Sequence, residues 1–455
     1  MTRSLPALLT VLLLVAACGT DIPSAATSSP SVAASPPAPS PSGTATATPP
    51  IGVVEPAPGS DSETYPPNPA AIVVAIDAGH GGCLDWGVPD PSERGEQLAE
   101  KTMTLAIARL LRDRLVADGI GVVMVRDDDV ALAGDRYPEL GCDGPEWRDV
   151  NGDGEAGFDP EGATRTRDEL QARIDLVNLA RADAFVSIHI NSPFDGGASV
   201  EIAFTETFYT DETPWGPDLT AALADGVQAG VVDRLGAVAD YERGDRGITA
   251  HNFYLVAPPL LEPTEERPDP VKQPTRGALM PVVLAEVGSI TLRAEHDLLA
   301  APEGQGAVAD GLLDGIRSFV RARPTAVRIG LDGAPAGVPP EAVAGDGPPY
   351  WAAQMPDGPL RLRVTNTGME PISEGARLAV AWQTSDEPYL RAEPSSPGPL
   401  GDVLPALGPG DSVVLELELP APPPGRSLAW ISVLVEGEPA STYGSPALQL
   451  ASEVP

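Results

Sequence analysis

The sequence predicts an α/β domain with a mostly parallel sheet, followed by a smaller β-sandwich domain. Between residues 71 and 323, short apolar runs alternate with longer amphipathic segments, and such alternation gives a parallel sheet covered by helices on both faces. From residue 324 to 455, short segments of alternating polarity are separated by Pro and Gly, which is typical of a sandwich. At 455 residues the chain is also too long for one ordinary domain.

The first 70 residues are predicted to lie outside both domains. Residues 1–18 combine Arg3, an apolar core and the ending Leu-Val-Ala-Ala-Cys18, which is typical of an export signal. The ending resembles a bacterial lipobox, which implies cleavage before Cys18 and a lipid on that cysteine; an ordinary cleaved signal is the alternative. Residues 19–70 are rich in Pro, Ser, Ala and Thr and cannot bury enough surface to fold. We expect them to form a semi-extended tether.

The predicted elements of the α/β domain follow in order. Residues 72–76 are predicted as the first strand, which leads into Gly79-His80-Gly81-Gly82. Residues 98–118 are predicted as an amphipathic helix with its apolar residues on one stripe. Further strands are predicted at 121–125, 184–189, 200–204, 253–256 and 282–285, and further helices at 168–181, 219–235 and 307–322.

The sandwich prediction rests on four alternating segments, at residues 360–368, 376–382, 412–419 and 428–435. One segment ends in Val-Thr-Asn-Thr-Gly, and Leu-Gly-Pro-Gly-Asp precedes another. These turns resemble bacterial immunoglobulin-like adhesion modules. No chemistry follows from that resemblance.

Four polar side chains predict a metal site. His80, His189 and Glu286 follow apolar runs predicted as strands, and the carboxyl ends of parallel strands meet at one edge of a sheet. Glu100 opens the predicted helix, where an acidic residue also favours the helix dipole and needs no metal. A catalytic zinc keeps three ligands, often two histidines and a carboxylate, and a separate carboxylate takes a proton from its water.

Six segments in chain order carry a resemblance to a known family. They are Ile-Asp-Ala-Gly-His-Gly-Gly at 76–82, Glu-Lys-Thr-Met-Thr-Leu-Ala-Ile-Ala at 100–108, Leu-Gln-Ala-Arg at 170–173 with Asn178, Ser-Ile-His-Ile-Asn at 187–191, Arg-Gly-Ile at 246–248 with Asn-Phe-Tyr-Leu-Val at 252–256, and Leu-Ala-Glu-Val-Gly at 284–288. Over residues 71–323 the chain resembles the zinc-dependent N-acetylmuramoyl-L-alanine amidases of the amidase type 3 family, here in a lipoprotein form.

The resemblance implies a three-layer αβα domain that hydrolyses the amide between N-acetylmuramic acid and L-alanine in peptidoglycan. It implies that His80, Glu100 and His189 bind Zn²⁺ and that Glu286 is the catalytic carboxylate. Family members usually have an aromatic residue and an asparagine after the Glu-Val-Gly segment, whereas this chain has Ser289 and Ile290. We therefore expect altered packing of the substrate with catalysis retained.

Three further residues are candidates near the site. Asp77 is expected to orient His80, with the capping of a turn as the alternative. Asn191 follows His189 in the matching segment and strengthens its interpretation as a ligand. His251 precedes Asn252 near the expected groove and is a candidate for contact with the substrate.

The remaining cysteines form an even pair. Once Cys18 is assigned to lipidation, Cys83 and Cys142 are left in an exported setting that permits a disulfide. We expect them to bond to each other. The alternative makes Cys83 a zinc ligand, which would close a site that already has three.

An acidic insertion has the spacing of a calcium-binding loop. Its candidate ligands are Asp149, Asn151, Asp153 and Glu155. The glutamate that usually closes such a loop is replaced by Pro160. Ca²⁺ binding and a solvated acidic turn both remain open, and residues 137–166 are the candidate segment for covering the groove.

The net charge of −36 excludes nucleic acid as a partner, because phosphates need a basic surface. It does not bear on peptidoglycan, the expected partner. The signal and tether predict export and a lipid anchor on the outer face of the bacterial cell membrane. Two other functions fit the same residues: a non-catalytic wall-binding or regulatory lipoprotein on an amidase fold, and a zinc peptidase acting on peptide cross-links.

Overall fold

The computed structural model describes residues 71–82, 85–88, 95–133, 149–151, 167–195, 198–213, 215–257, 276–333, 353–356, 358–384 and 398–454. The α/β unit contains strands β1 (Val73–Ala78), β2 (Gly121–Met124), β3 (Ala184–Asn191), β4 (Phe194–Asp195), β5 (Ala198–Ser199), β6 (Phe204–Tyr209), β7 (Gly244–Ala250) and β8 (Val282–Ser289). Its helices are α1 (Glu100–Ala117), α2 (Arg167–Ala180), α3 (Pro217–Val238), α4 (Arg293–Ala300) and α5 (Pro302–Ala322).

The central sheet has six strands in the order β2-β1-β3-β8-β6-β7. The first four strands in this order are mutually parallel, so the carboxyl ends of β1, β3 and β8 meet at one edge. Strand β6 runs antiparallel to β8, and β7 is parallel to β6. The predicted α/β class with a mostly parallel sheet is confirmed.

Helices cover the two faces of the sheet, and alternate residues of each strand face opposite sides. Val74 and Ile76 pack with α1, α3 and α5 in one hydrophobic cluster. Val73 and Ala75 pack with α2 in another. The same alternation places Asp77 and His189 on the α2 side, because successive side chains of a strand point to opposite faces.

Two predicted elements differ from the structure, and two observed elements, β7 and α4, were not predicted. Residues 253–256, predicted as a strand, form a turn in which Leu255 and Val256 are buried. The edge strand is β7, whose glycines and mostly exposed or half-buried residues give no apolar run. The strand predicted at 200–204 begins at Phe204 instead, and helix α4 was not predicted as a separate element.

Beyond α5 the chain forms two sheets that share one core. Their strands are β9 (Val327–Leu331), β10 (Ala353–Gln354), β11 (Leu360–Asn366), β12 (Arg377–Thr384), β13 (Gly398–Val403), β14 (Ser412–Leu417), β15 (Gly425–Val435), β16 (Glu438–Pro439) and β17 (Leu448–Val454). One sheet has the order β10-β17-β15-β12-β13, with β16 beside β15, and the other has the order β14-β11-β9. Leu362 and Val364 from one sheet and Ile431 and Leu448 from the other lie in a single hydrophobic cluster, which confirms a β-sandwich.

A buried ionic cluster joins the sandwich to the α/β unit. Asp183, just before β3, lies 3.3 Å from the Arg323 guanidinium and 3.5 Å from that of Arg328. All three side chains are almost completely buried. Ser445 of the sandwich joins the cluster because its hydroxyl oxygen accepts a 3.3 Å hydrogen bond from Arg323, and it also accepts one of 2.9 Å from the Val327 amide. The sandwich is therefore attached at the sheet edge where the parallel strands begin.

Among the described residues, no helix has the length and apolar character needed to span a membrane.

Candidate metal centre and active site

The loop after β1 is held by three buried cationic side chains. Arg126 donates hydrogen bonds to the carbonyl oxygens of Ala78 and Gly79 at 2.8 and 3.0 Å. Arg173 donates to the carbonyl oxygen of His80 at 2.7 Å, and Lys101 donates to that of Gly82 at 2.7 Å. This support fixes a loop in which His80 itself has a φ of 61°, a conformation that a non-glycine residue adopts at a cost.

His80, Glu100 and His189 converge at the carboxyl ends of β1 and β3. Their ligand atoms all lie within 4.8 Å of one another, so the three side chains could hold a metal ion. Glu100 sits between the histidines, with Oε2 3.1 Å from Nε2 of His80 and Oε1 3.1 Å from Nδ1 of His189. The two imidazole rings meet edge-on with centroids 4.8 Å apart.

Two glycines leave the space that this cluster occupies. A Cβ atom on Gly79 would lie 2.6 Å from the His189 ring. A Cβ atom on Gly87 would lie 2.4 Å from a Glu100 carboxylate oxygen, and Gly87 has a φ of 69°. Real Cβ atoms do not approach other atoms so closely, so the cluster requires glycine at both positions.

Backbone amides and histidines stabilise Glu100 as a carboxylate. The amides of Val88 and Ile190 each donate to it at 2.9 Å. Burial works against the negative charge, but His80 and His189 outweigh it and hold the pKa of Glu100 well below its usual range. These contacts favour the ionised form of Glu100, which is the form in which a carboxylate can bind a metal.

Asp85 fixes the orientation of the His80 ring. Nδ1 of His80 donates to Oδ1 of Asp85 at 2.8 Å, which leaves Nε2 directed at Glu100. Burial opposes the charge on His80, but Glu100 and Asp85 prevail and raise the pKa of this histidine. A carboxylate on the outer nitrogen of a metal-binding histidine fixes its tautomer.

Glu286 lies on the strand next to His189. The Cα atoms of the two residues pair in the β3–β8 register, and Glu206 pairs with Glu286 from the other side. Oε2 of Glu286 is buried and has no hydrogen-bond partner among the described residues. Burial, and then the negative charge of Glu100, raise the pKa of Glu286 well above its usual value. A carboxyl group with a raised pKa and one buried, unpaired oxygen is suited to proton transfer when it lies beside such a cluster.

The family model for N-acetylmuramoyl-L-alanine amidases matches residues 74–318, which contain the whole cluster. The chain belongs to this amidase family. The sequence-based recognition is thereby confirmed, and the hydrolase class and the peptidoglycan substrate follow from the family.

Several relatives resemble this amidase over the same region. The germination-specific N-acetylmuramoyl-L-alanine amidase of Bacillus subtilis (strain 168) is 24% identical over 54% of this chain and 79% of its own length. The uncharacterised protein YqiI of the same organism is 28% identical over 54% of this chain and 84% of its own.

Solved amidase structures cover the same part of the chain. That of the N-acetylmuramoyl-L-alanine amidase from Clostridium difficile 630 has 25% identity and a TM-score of 0.37, over 56% of this chain and 99% of the other. The catalytic domain of CwlV from Bacillus (Paenibacillus) polymyxa var. colistinus has 26% identity and a TM-score of 0.36, over 55% and 98%.

The contacts of Asp77 differ from the expectation. Asp77 was expected to orient His80, but it is buried against Arg173 and accepts a 2.7 Å hydrogen bond from Ser187. Asp85 makes the contact with His80 instead. In the amidase Asp77 thus anchors Arg173, which in turn holds the His80 carbonyl. Asp85 carried no signal in the sequence, because it reaches His80 only through the bend of the loop.

The other histidines and Asn191 occupy distinct places. Asn191 is buried at the end of β3, and its carbonyl oxygen accepts a 2.9 Å bond from Ile290. His251 is exposed and packs edge-on against Phe253 at 4.3 Å, and burial lowers its pKa. His296 on α4 is fully buried, with Nε2 3.1 Å from the Leu98 carbonyl oxygen.

Several predictions concern residues outside the described ranges. These residues are Cys18, Cys83, Cys142, Asp153 and Glu155, together with the predicted signal and tether at residues 1–70 and with residues 137–148 and 152–166. The amides of Val150 and Asn151 bind the Asp168 carboxylate at 2.7 and 2.9 Å. Calcium binding at Asp149 and Asn151 stays a prediction.

Proposed function

We propose that this amidase uses zinc to hydrolyse the amide between the lactyl group of N-acetylmuramic acid and the L-alanine of the stem peptide. One observation carries the proposal: the cluster of His80, Glu100 and His189 lies beside Glu286, whose buried carboxyl oxygen has no described partner. The family supports peptidoglycan amidase activity, and the metal and the residue roles are our inference.

The donor set suits zinc. Two imidazole nitrogens and one carboxylate are typical of catalytic zinc sites, which leave the fourth position open. The side chains of His80 and His189 remain 24% and 15% exposed, so the site is accessible from solvent. A zinc ion held there would lower the pKa of a bound water and polarise the scissile carbonyl.

Glu286 is the proposed general base and general acid. A carboxyl group with a raised pKa can accept the proton of the attacking water and then donate it to the leaving nitrogen of L-alanine. Its position in register with His189 places it next to the ligand cluster. Arg173, Arg126 and Lys101 hold the loop of His80 in place and take no part in proton transfer.

We also propose how the chain is organised around this activity. Residues 1–18 are a lipoprotein signal, 19–70 a tether, 71–323 the amidase domain and 324–455 an accessory sandwich. Cys18 would carry the lipid that holds the enzyme at the outer face of the membrane, within reach of the wall. The composition of the first 70 residues supports this proposal.

The test uses the purified full chain and intact peptidoglycan. Mass spectrometry of the soluble products is expected to show free stem peptides that begin with L-alanine. A chelator should abolish their release, zinc should restore it, and Glu286→Gln should lower the rate by at least about 100-fold. Glu303→Gln is the matched control, because Glu303 is exposed at the start of α5 and remote in sequence from the cluster.

Two product patterns would contradict the proposal. Zinc-loaded protein that releases nothing would indicate a non-catalytic wall-binding protein. Dimeric stem peptides split into monomers, with the muramyl amide intact, would indicate a peptidase acting on cross-links.

A further inference from the structure

A cavity of about 380 Å³ lies along the sheet from Glu286. It is lined by residues that include Glu201, Phe204, Glu242, Arg246 and Leu292. Phe204 is two residues from Glu206 on β6, and the Cα of Glu206 pairs with that of Glu286. Strand rise and spacing then put the Cα atom of Phe204, which lines the cavity, about 8 Å from that of Glu286. Phe204, Glu206 and Glu286 share one face of the sheet.

Arg246 is the fixed cation of this cavity. Its guanidinium carbon lies 3.5 Å from the centroid of the Phe204 ring, and one of its nitrogens is 3.6 Å from a Glu206 carboxylate oxygen. The side chain is still 39% exposed. Stacking and the ion pair therefore hold the guanidinium plane, while the exposed part of its N–H fork can meet an incoming carboxylate.

Two carboxylates complete the lining. Glu201 and Glu242 are both exposed at the cavity. The cavity thus combines one oriented cation with two anions that solvent reaches. N-Acetylated sugars offer hydroxyl and amide groups without charge, whereas a stem peptide carries carboxylates and free amines. The charges favour the peptide side of the substrate over the glycan side.

We propose that this cavity binds the stem peptide beyond the scissile amide. Arg246 binds the free carboxylate of the second peptide residue, and Glu201 and Glu242 face the free amine of the third. Two extended peptide residues span about 7 Å, which is close to the separation of the Phe204 and Glu286 backbones. The proposal rests on the amidase function proposed above and identifies the part of the substrate that this surface recognises.

The test compares two muramyl tripeptides that differ only in whether the carboxylate of the second residue is free or amidated. For zinc-loaded full chain, Arg246→Gln should lower kcat/KM on the free acid by about 10- to 100-fold, the range of a charge-assisted hydrogen bond. The rate on the amidated peptide should stay close to that of the wild type. Arg361→Gln is the matched control, since this arginine is 60% exposed on the sandwich.

A second variant, at Glu242, tests the proposal even if the Arg246 variant does not fold. Glu242→Gln should weaken selection for a free amine on the third residue over its acetylated form. Calorimetry with the released tripeptide should show weaker binding to Arg246→Gln, with Arg246→Lys intermediate because lysine lacks the fork.

The outcomes separate the two proposals. Wild-type protein that cleaves neither tripeptide would overturn the amidase function and the peptide site with it. If the wild type cleaves both while Arg246→Gln lowers the two rates equally or not at all, only the peptide site is overturned.

Discussion

The hydrogen bond between His80 and Asp85 makes a quantitative prediction about metal affinity. Loss of a carboxylate that orients a metal-binding histidine typically costs about 10- to 100-fold in affinity. Asp85 is 22% exposed, so solvent screens part of its charge. Asparagine keeps an oxygen that accepts from Nδ1, whereas alanine keeps none. We therefore expect Asp85→Asn to weaken zinc binding about 10-fold and Asp85→Ala about 100-fold, or about 1.4 and 2.7 kcal/mol.

The assay is competition between the protein and a zinc-binding dye at one fixed pH, because ligand protonation makes zinc affinity depend on pH. Asp113→Asn serves as the control, since Asp113 is 65% exposed and pairs with the neighbouring Arg112 on α1. The reasoning fails if Asp85→Ala binds zinc as tightly as the wild type, or if the asparagine and alanine variants are equally weak.

Three further predictions concern stability. Arg173→Met leaves Asp77 buried without its main cation and should lower the free energy of unfolding by about 3–5 kcal/mol at pH 7. Because the pKa of Asp77 is held below 3.8, the stability difference between wild type and variant should be present above that pH and become smaller below it. Urea unfolding at pH 3 and pH 7 measures this, with Arg293→Met as the control for an exposed ion pair; a difference that is no smaller at pH 3 than at pH 7 would contradict the prediction. In chelated protein the pKa of Glu286 lies above 4.5, so wild-type stability should fall as pH rises through the raised pKa. The stability of Glu286→Gln should not decrease in this way. A stability difference between wild type and Glu286→Gln that stays constant from pH 4 to 8 would contradict the prediction. Asp183→Asn leaves Arg323 and Arg328 buried without their carboxylate partner. Calorimetry should therefore find the α/β unit and the sandwich unfolding together at a lower temperature; an unchanged unfolding temperature of the sandwich would exclude this coupling between the two units.

Apolar runs in the sequence predicted most of the strands, because a parallel strand covered by helices on both faces carries apolar side chains on both faces. Residues 72–76 and 282–285 match β1 and β8 for that reason. Strand β7 could not be found this way, since it lies at the sheet edge and contains Gly244 and Gly247 in a polar segment. Residues 253–256 were wrongly predicted as a strand because Leu255 and Val256 are apolar and buried, although they lie in a turn. Burial alone does not specify a strand.

The ligand cluster was predictable from residue type, chain order and family resemblance, but its supports were not. Asp85 reaches His80 because the loop folds back, with the Gly81 amide bonded to the Asp85 carbonyl at 2.9 Å. Arg126 and Lys101 bind carbonyl oxygens, and backbone acceptors leave no trace in a sequence. Sequence patterns therefore predict the candidate site residues, whereas the side chains that orient them depend on the three-dimensional path of the chain.

The ionic cluster around Asp183 also brings the beginning and the end of the α/β unit together. The Val73 amide donates to Asp183 at 2.9 Å, so the polypeptide enters the α/β unit beside the place where Arg323 leads it out. Both attachments lie at the edge opposite His80 and His189. A load applied to the backbone just before β1 or through the sandwich would therefore act on this end of the sheet, and the end that carries His80 and His189 would not lie on its path.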